Sequence, residues 1–463
     1  MRRIFLMTLP LLALMQGCGE NGGGGESAPP PAPPLHGGCR VPENPAPAER
    51  RPTLVVRLEY NNHLFHNDAR TWNRKIFGEA PHELNHYFQR NSYGRFGLEP
   101  VTESEGTAND GIITVRLDRN HPDCGFGTAI HPDLKAALVK ADPAIDFSRY
   151  DRNKDGAIGP DEMLIVFIVA GNEDAFSGDT GDDGIWGHQS CVSEADTPIL
   201  DGVALMGCNR GGNYAVFGER HVDPSIHYDR DATIGIIAHE LGHAALNLPD
   251  LYDTSNASAG IGYFGLMGSG MWGQESADDP YGNTPVSLSA WSKMNVGWIR
   301  PQIIAENGGE EKAFYATDDD RYNIVLLPAG GSECFLIENR SEHGYDAGMN
   351  VLKGYYRGGL AIWHIDQKVI DEGSALNTVN ADAAHKGVDL EEAANAGLDN
   401  SPNFPGDAKN LYFAGNRTRF GPETSPDSRR YDGSESGVSV LNISPAAETM
   451  RATLINSDKE VSP

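Results

Sequence analysis

Positive charge is what this chain has least of. In 463 residues, 37 Lys and Arg stand against 65 Asp and Glu, a formal charge of −28. A polyanion would have to dock on a like-charged surface, which excludes nucleic acid as a partner. A polybasic membrane patch is excluded on the same ground. Long apolar runs are missing too, since none reaches the roughly 20 residues of a transmembrane helix. The six cysteines are few and none has Cys-x-x-Cys spacing, which argues against a thiolate zinc site. What remains, 39% hydrophobic and 22% charged, is globular chain long enough for one large or two ordinary domains.

The N-terminus carries an export pattern. Arg2 and Arg3 precede a short apolar stretch, Ile4 to Met15, so residues 1–17 read as a signal peptide. Met15-Gln16-Gly17-Cys18 resembles a bacterial lipobox, with Met15 and Gln16 departing from its usual residues. That resemblance implies lipidation at Cys18 and a lipoprotein anchored to the cell envelope. Gly19 directs it to the outer membrane or cell surface, with release as the other outcome. Ordinary secretory cleavage nearby is the alternative. Residues 18–52 are rich in Gly and Pro, including Pro29-Pro30-Pro31, and read as a tether without a core-forming pattern. Cys191 and Cys208 are the expected disulfide pair.

Thr53–Tyr60, Ile112–Leu117 and the continuous apolar run Met163–Ala170 read as strands, the last buried on both faces. Pro81–Asn91 and His131–Ala141 have helical spacing. Asp231 opens a further helix, with Ile234, Ile237, Ala238, Leu241 and Ala245 at the 3.6-residue period. After about residue 300, short alternating runs between Gly, Asn and Asp turns predict a β-rich region. The expected fold class is α+β: a mixed twisted sheet with an active-site helix over residues 53–300, then a β-rich region over 301–463 that forms part of the same unit or a separate one.

The helix contains His239-Glu240-Leu241-Gly242-His243. Histidines at i and i+4 share one helical face and can bind a single Zn²⁺ through their imidazoles. Glu240 beside them can take a proton from a water activated by that ion. A third protein ligand leaves one position open. Asn247 can adopt the left-handed conformation that ends a helix, and Pro249 stops it resuming, so Asp250, with Asp253 in reserve, can swing back to the metal. Asp151-Arg152-Asn153-Lys154-Asp155-Gly156-Ala157 through Glu162 matches a twelve-residue Ca²⁺ loop. Asp151, Asn153, Asp155 and Glu162 offer side-chain oxygens, Ala157 its carbonyl, and Gly156 the sharp turn. A strand follows where an exiting helix would be, so the loop reads as a structural clip. A solvated acidic turn is the other reading.

HELGH with Leu248-Pro249-Asp250-Leu251-Tyr252-Asp253, then Gly265-Leu266-Met267-Gly268 and Ala290-Trp291-Ser292-Lys293, resembles the immune-inhibitor-A type of secreted zinc metallopeptidase. Further matches run through Asn91–Gly94, Ile185–His188, Phe335–Arg340 and Ile362–Asp366. The resemblance implies a zincin fold, with His239, His243 and an aspartate as ligands and Glu240 as general base. It also implies a methionine turn beneath the metal at Met267, which otherwise reads as core filler. The chain departs from the family in one extra residue between His243 and Asp250, and in Asn247 standing where glycine is usual. His188 and His364 read as packing residues, and Glu338 and Asp366 are left between ion binding and a structural role. The function expected is that of an exported, monomeric zinc endopeptidase acting on protein or peptide substrates. The rivals are a catalytically silent surface-binding module on the same scaffold and a zinc hydrolase of another bond.

Overall fold

In the computed structural model, residues 34–124, 130–178, 183–305 and 307–457 are described. The signal segment, Cys18 and the first part of the tether lie outside them. Apolar runs of strand length build the central sheet from β1 (Glu49–Glu59), β2 (Phe96–Pro100), β3 (Ile112–Arg116), β4 (Leu164–Glu173), β5 (His188–Ser190), β6 (Tyr214–Asp223) and β7 (Tyr228–Asp231). Its order is β7-β6-β4-β1-β2, with β3 also on β1 and β5 also on β6. The β6-β4-β1-β2 pairs are parallel, whereas β5 and β7 run antiparallel along the β6 edge. Side chains alternate across the pleat. Val55, Val166, Ile168 and Phe217 face one core, while Val56, Phe167, Val169 and Val216 face another, under the helix His131–Ala141.

A second sheet follows in the order β8 (Gln302–Ile303), β9 (Val325–Gly330), β10 (Glu333–Arg340), β11 (Gly359–Asp366) and β12 (Val388–Leu390). The same period of two gives it two apolar faces. Leu326, Leu336 and Trp363 enter the core that holds Val166, Ile237 and Leu241. Leu327, Phe335, Ile337 and Ile362 pack with Phe314, Val440 and Met450 of a three-stranded sheet. One apolar core therefore runs from the central sheet, past the HExxH helix, into the second sheet.

A buried ion network stitches the same seam. Arg340, fully buried, makes a two-point contact with Asp346 at 2.8 and 2.6 Å and donates to the Phe264 carbonyl at 2.8 Å. Glu338, also fully buried, accepts from the Ala290 amide (3.0 Å), Trp363 Nε1 (2.9 Å) and Tyr322 Oη (2.6 Å). Of the two roles open to Glu338, the contacts are those of a residue that orients the fold. Asp366 likewise caps the helix Gln367–Gly373 and accepts from Ser332 at 2.7 Å.

Cys191 and Cys208 are disulfide-bonded, as their spacing predicts. A second bridge, Cys39–Cys334, joins positions 295 apart. It corrects the tether reading of the segment before residue 52: Cys39 and Val41 are fully buried, residues 35–40 form a small hairpin, and β1 begins at Glu49. Cys124 is the free cysteine among the described residues. Asp231 does not open the helix. It ends β7 and accepts from Asn67 at 2.6 Å, and the helix starts at Ile234 after Thr233. No described helix is long and apolar enough to cross a membrane.

Candidate metal centre

The helix Ile234–Leu246 packs Ile237 and Leu241 into the shared core, on the face opposite His239 and His243. It ends where the sequence predicts. Asn247 is left-handed at φ 50°, and the Asn247 and Leu248 amides return to the His243 and Gly242 carbonyls at 3.0 and 3.1 Å. Pro249 then carries Asp250 back over the helix.

Three side-chain atoms converge there. His239 Nε2 and His243 Nε2 are 3.2 Å apart, and Asp250 Oδ1 lies 3.0 and 3.2 Å from them. His239 Nδ1 donates to the Leu266 carbonyl at 3.0 Å, and His243 Nδ1 to that of Leu248 at 2.6 Å. Those bonds leave the neutral form of each ring with a lone pair on Nε2, aimed at the common point. Asp250 Oδ1 is buried within ion-pair distance of both Nε2 atoms but makes no hydrogen bond of regular geometry. Ligands about 2.0–2.1 Å from a tetrahedral Zn²⁺ stand about 3.3 Å from one another. The donor triangle fits that ion, and a buried carboxylate oxygen left without a regular hydrogen bond is what a metal site presents. Among the described residues this is the one cluster of its kind.

Burial disfavours charge at Asp250, yet the imidazoles hold its carboxyl well below its ordinary range. Burial lowers and Asp250 raises the His243 pKa, and the balance is up to about 9. A bound metal would displace that proton. Glu240 is 7% exposed, and burial pushes its carboxyl up against the pull of both histidines. The Gln189 amide, on the antiparallel edge strand β5, bonds to it.

Asp253 stands apart: its two oxygens accept from Ser255 and Ser258 at 2.6–2.9 Å and are used up in that turn. Met267 is buried under the helix, close enough that a Cβ on Gly242 would lie 2.6 Å from its Sδ. Its neighbour Leu266 supplies the carbonyl that holds His239. His188 bonds to the Trp186 carbonyl and Tyr214, and His364 lies between Glu333 and Glu391 in the second sheet; neither joins the cluster. In the acidic loop, Asp151 accepts the Asp155 and Gly156 amides, Asn153 the Asp155 amide, and Glu162 the amides of Arg152, Asn153 and Gly159. Gly156 takes φ 84°, and Ala157 enters a short parallel pairing with Ala204. Sequence reasoning missed two contacts to the cluster. Tyr252 stacks on His239 at 6.2 Å, and Asn377 reaches Asp250 from 127 residues away. Tyr252 lay within a matched motif, whereas nothing near Asn377 signalled it.

Two histidines one helical turn apart, with a carboxylate returned by the next turn, form a group that could hold a single metal ion, with an acid beside it. The chain belongs to the immune inhibitor A peptidase M6 family, whose catalytic-domain model matches residues 59–299. Immune inhibitor A of Bacillus thuringiensis subsp. alesti is 27% identical over 308 residues, 56% of this chain and 43% of that protein. The chain thus spans less than half the length of that relative. Among solved structures, wild-type OgpA from Akkermansia muciniphila is 15% identical with a TM-score of 0.26, covering 70% of this chain and 86% of that one. Catalytically inactive OgpA in complex with an O-glycopeptide is 14% identical with a TM-score of 0.25, covering 70% and 87%. Both likenesses are remote.

Proposed function

We propose that this protein is an exported zinc endopeptidase of zincin type, with His239, His243 and Asp250 as metal ligands and Glu240 as general base. The observation that carries this reading is the donor triangle closing on the buried Asp250 oxygen. When bound, Zn²⁺ supplies Lewis acidity toward water and the scissile carbonyl. Glu240 receives the proton of the attacking water on its carboxylate as the carbon–oxygen bond forms. It then delivers that proton to the amide nitrogen as the carbon–nitrogen bond breaks, leaving an acid and an amine. A carboxylate made more basic by burial accepts the water's proton more readily than an exposed one. The β5 edge, antiparallel and beside the helix, offers backbone groups along which an extended peptide can lie. Protein or peptide chains are therefore the substrates, and the enzyme acts as a monomer. Lipidation at Cys18 holds it at the cell envelope through the Gly/Pro-rich segment. The deciding experiment is hydrolysis of a quenched unfolded-protein substrate by the zinc-loaded chain, with and without a chelator. No turnover in either, with one zinc bound per folded chain, would count against a general endopeptidase.

Asp151, Asn153, Asp155, Ala157 and Glu162 hold a structural Ca²⁺ in the same reading. A ligand that binds only the folded chain stabilises it by about 2.7 kcal/mol at a hundredfold excess over Kd. Adding Ca²⁺ to the calcium-free, zinc-loaded chain should raise its Tm, and Asp151→Ala should abolish the rise. A Tm indifferent to calcium in the unaltered chain would leave the loop an ordinary acidic turn.

A further inference from the structure

Asp250 does not sit on the helix that carries the two histidines, but on the loop after Pro249. Its carboxylate needs support from elsewhere if one oxygen is to stay aimed at the Nε2 pair. That support comes from beyond the stretch matched by the family's catalytic-domain model. Asn377 Nδ2 donates to Asp250 Oδ2 at 2.6 Å, and Asn377 Oδ1 accepts the Asp250 amide at 2.8 Å. Exchanging the nitrogen and oxygen of that amide would set donor against donor and acceptor against acceptor, so its orientation is fixed. Asn377 takes φ 53° at the end of a short 3₁₀ turn, a left-handed conformation that asparagine tolerates.

The surrounding loop is docked rigidly. The Asn377 carbonyl accepts from Thr254 Oγ1 at 3.2 Å. Asn380, 1% exposed, donates to the Leu251 and Val388 carbonyls at 2.9 and 2.8 Å and accepts the Val388 amide at 3.0 Å. Val388 belongs to β12, so the second sheet anchors the loop that grips Asp250. With Oδ2 and the backbone amide both held, the carboxylate plane is set. Oδ1, which makes no hydrogen bond of regular geometry, is the oxygen that faces the two Nε2 atoms.

We infer that Asn377 is a positioning residue for the metal centre, fixing the Asp250 carboxylate so that the second sheet completes the site. The inference rests on the reading of Asp250 as third ligand. Outer partners of this kind typically change metal affinity 10–100-fold.

The test measures Zn²⁺ affinity of the full chain by competition with a chromophoric chelator, alongside the visible spectrum of the Co²⁺-substituted protein and Tm. Asn377→Ala should weaken zinc about 10–100-fold and alter the Co²⁺ spectrum. Asn377→Asp, nearly the same shape, sets a carboxylate against Asp250 and should weaken it at least as much. It carries the test should the alanine variant fail to fold. Asn380→Ala, which loosens the same loop without touching the Asp250 carboxylate, should lower Tm and leave zinc affinity within about twofold. Equal losses in the Asn377 and Asn380 variants would overturn the inference, as would an unchanged affinity in both Asn377 variants while Asp250→Ala loses zinc. If Asp250→Ala itself keeps its zinc affinity, the ligand reading fails and the inference falls with it.

Discussion

Replacing Glu240 with glutamine should cut turnover of an unfolded-protein substrate by about 10²–10⁴-fold while one zinc stays bound per chain. Glutamine keeps the length and planarity of the side chain but cannot accept the proton of the attacking water. It also leaves His239, His243 and Asp250 in place, because none of the three short separations involves Glu240. Loss of turnover with metal content intact would separate the base from the ligands. His239→Ala would provide the opposite signature, with metal and turnover lost together. Full activity in Glu240→Gln, at equal zinc, would sink the mechanism and leave the acid beside the metal without a task.

The second large effect is on stability. Arg340→Met removes the cation that faces Asp346 and Glu338 in a fully buried seam. Burial opposes the Asp346 charge, and Arg340 is the chief group holding its carboxyl below the ordinary range. Lys293 also lowers the Asp346 pKa, but less than Arg340 does. Breaking such a pair by removing one partner typically costs about 3–5 kcal/mol, because the remaining charge is left buried. Arg340 also bonds the Phe264 carbonyl, so the loss should reach the turn whose Leu266 carbonyl holds His239. Denaturant midpoints and zinc affinity measured together would show whether both fall. A midpoint shift worth less than about 1 kcal/mol would mean that the seam relaxes around the gap.

The sequence made the local parts of this site legible. An i, i+4 histidine pair, a left-handed stop at Asn247 and a proline two residues later are all short-range instructions. Together they bring Asp250, and not Asp253, to the imidazoles. The helix His131–Ala141 and the strand over 164–170 were legible for the same reason, through continuous or periodic apolar runs. What could not be read depends on partners far along the chain. Asp231 sits where a helix start would place an acid, but β6 claims it for a strand. Cys39 lies beside Gly and Pro, and its bonding partner is 295 residues away. Asn377 is one asparagine among many, and its meaning is created by the second sheet that presents it. The matched motif around Glu338 and Arg340 was visible as a pattern, but its purpose as an internal electrostatic seam needed three dimensions.

The Cys39–Cys334 bridge makes the intervening polypeptide a covalent ring, with the HExxH helix inside it. On the proposed activity, the protein would be exposed to cleavage by its own kind. Any single cut between those cysteines opens the ring without releasing a fragment. A nicked molecule would therefore migrate as one species on a denaturing gel without reductant and as two pieces with it.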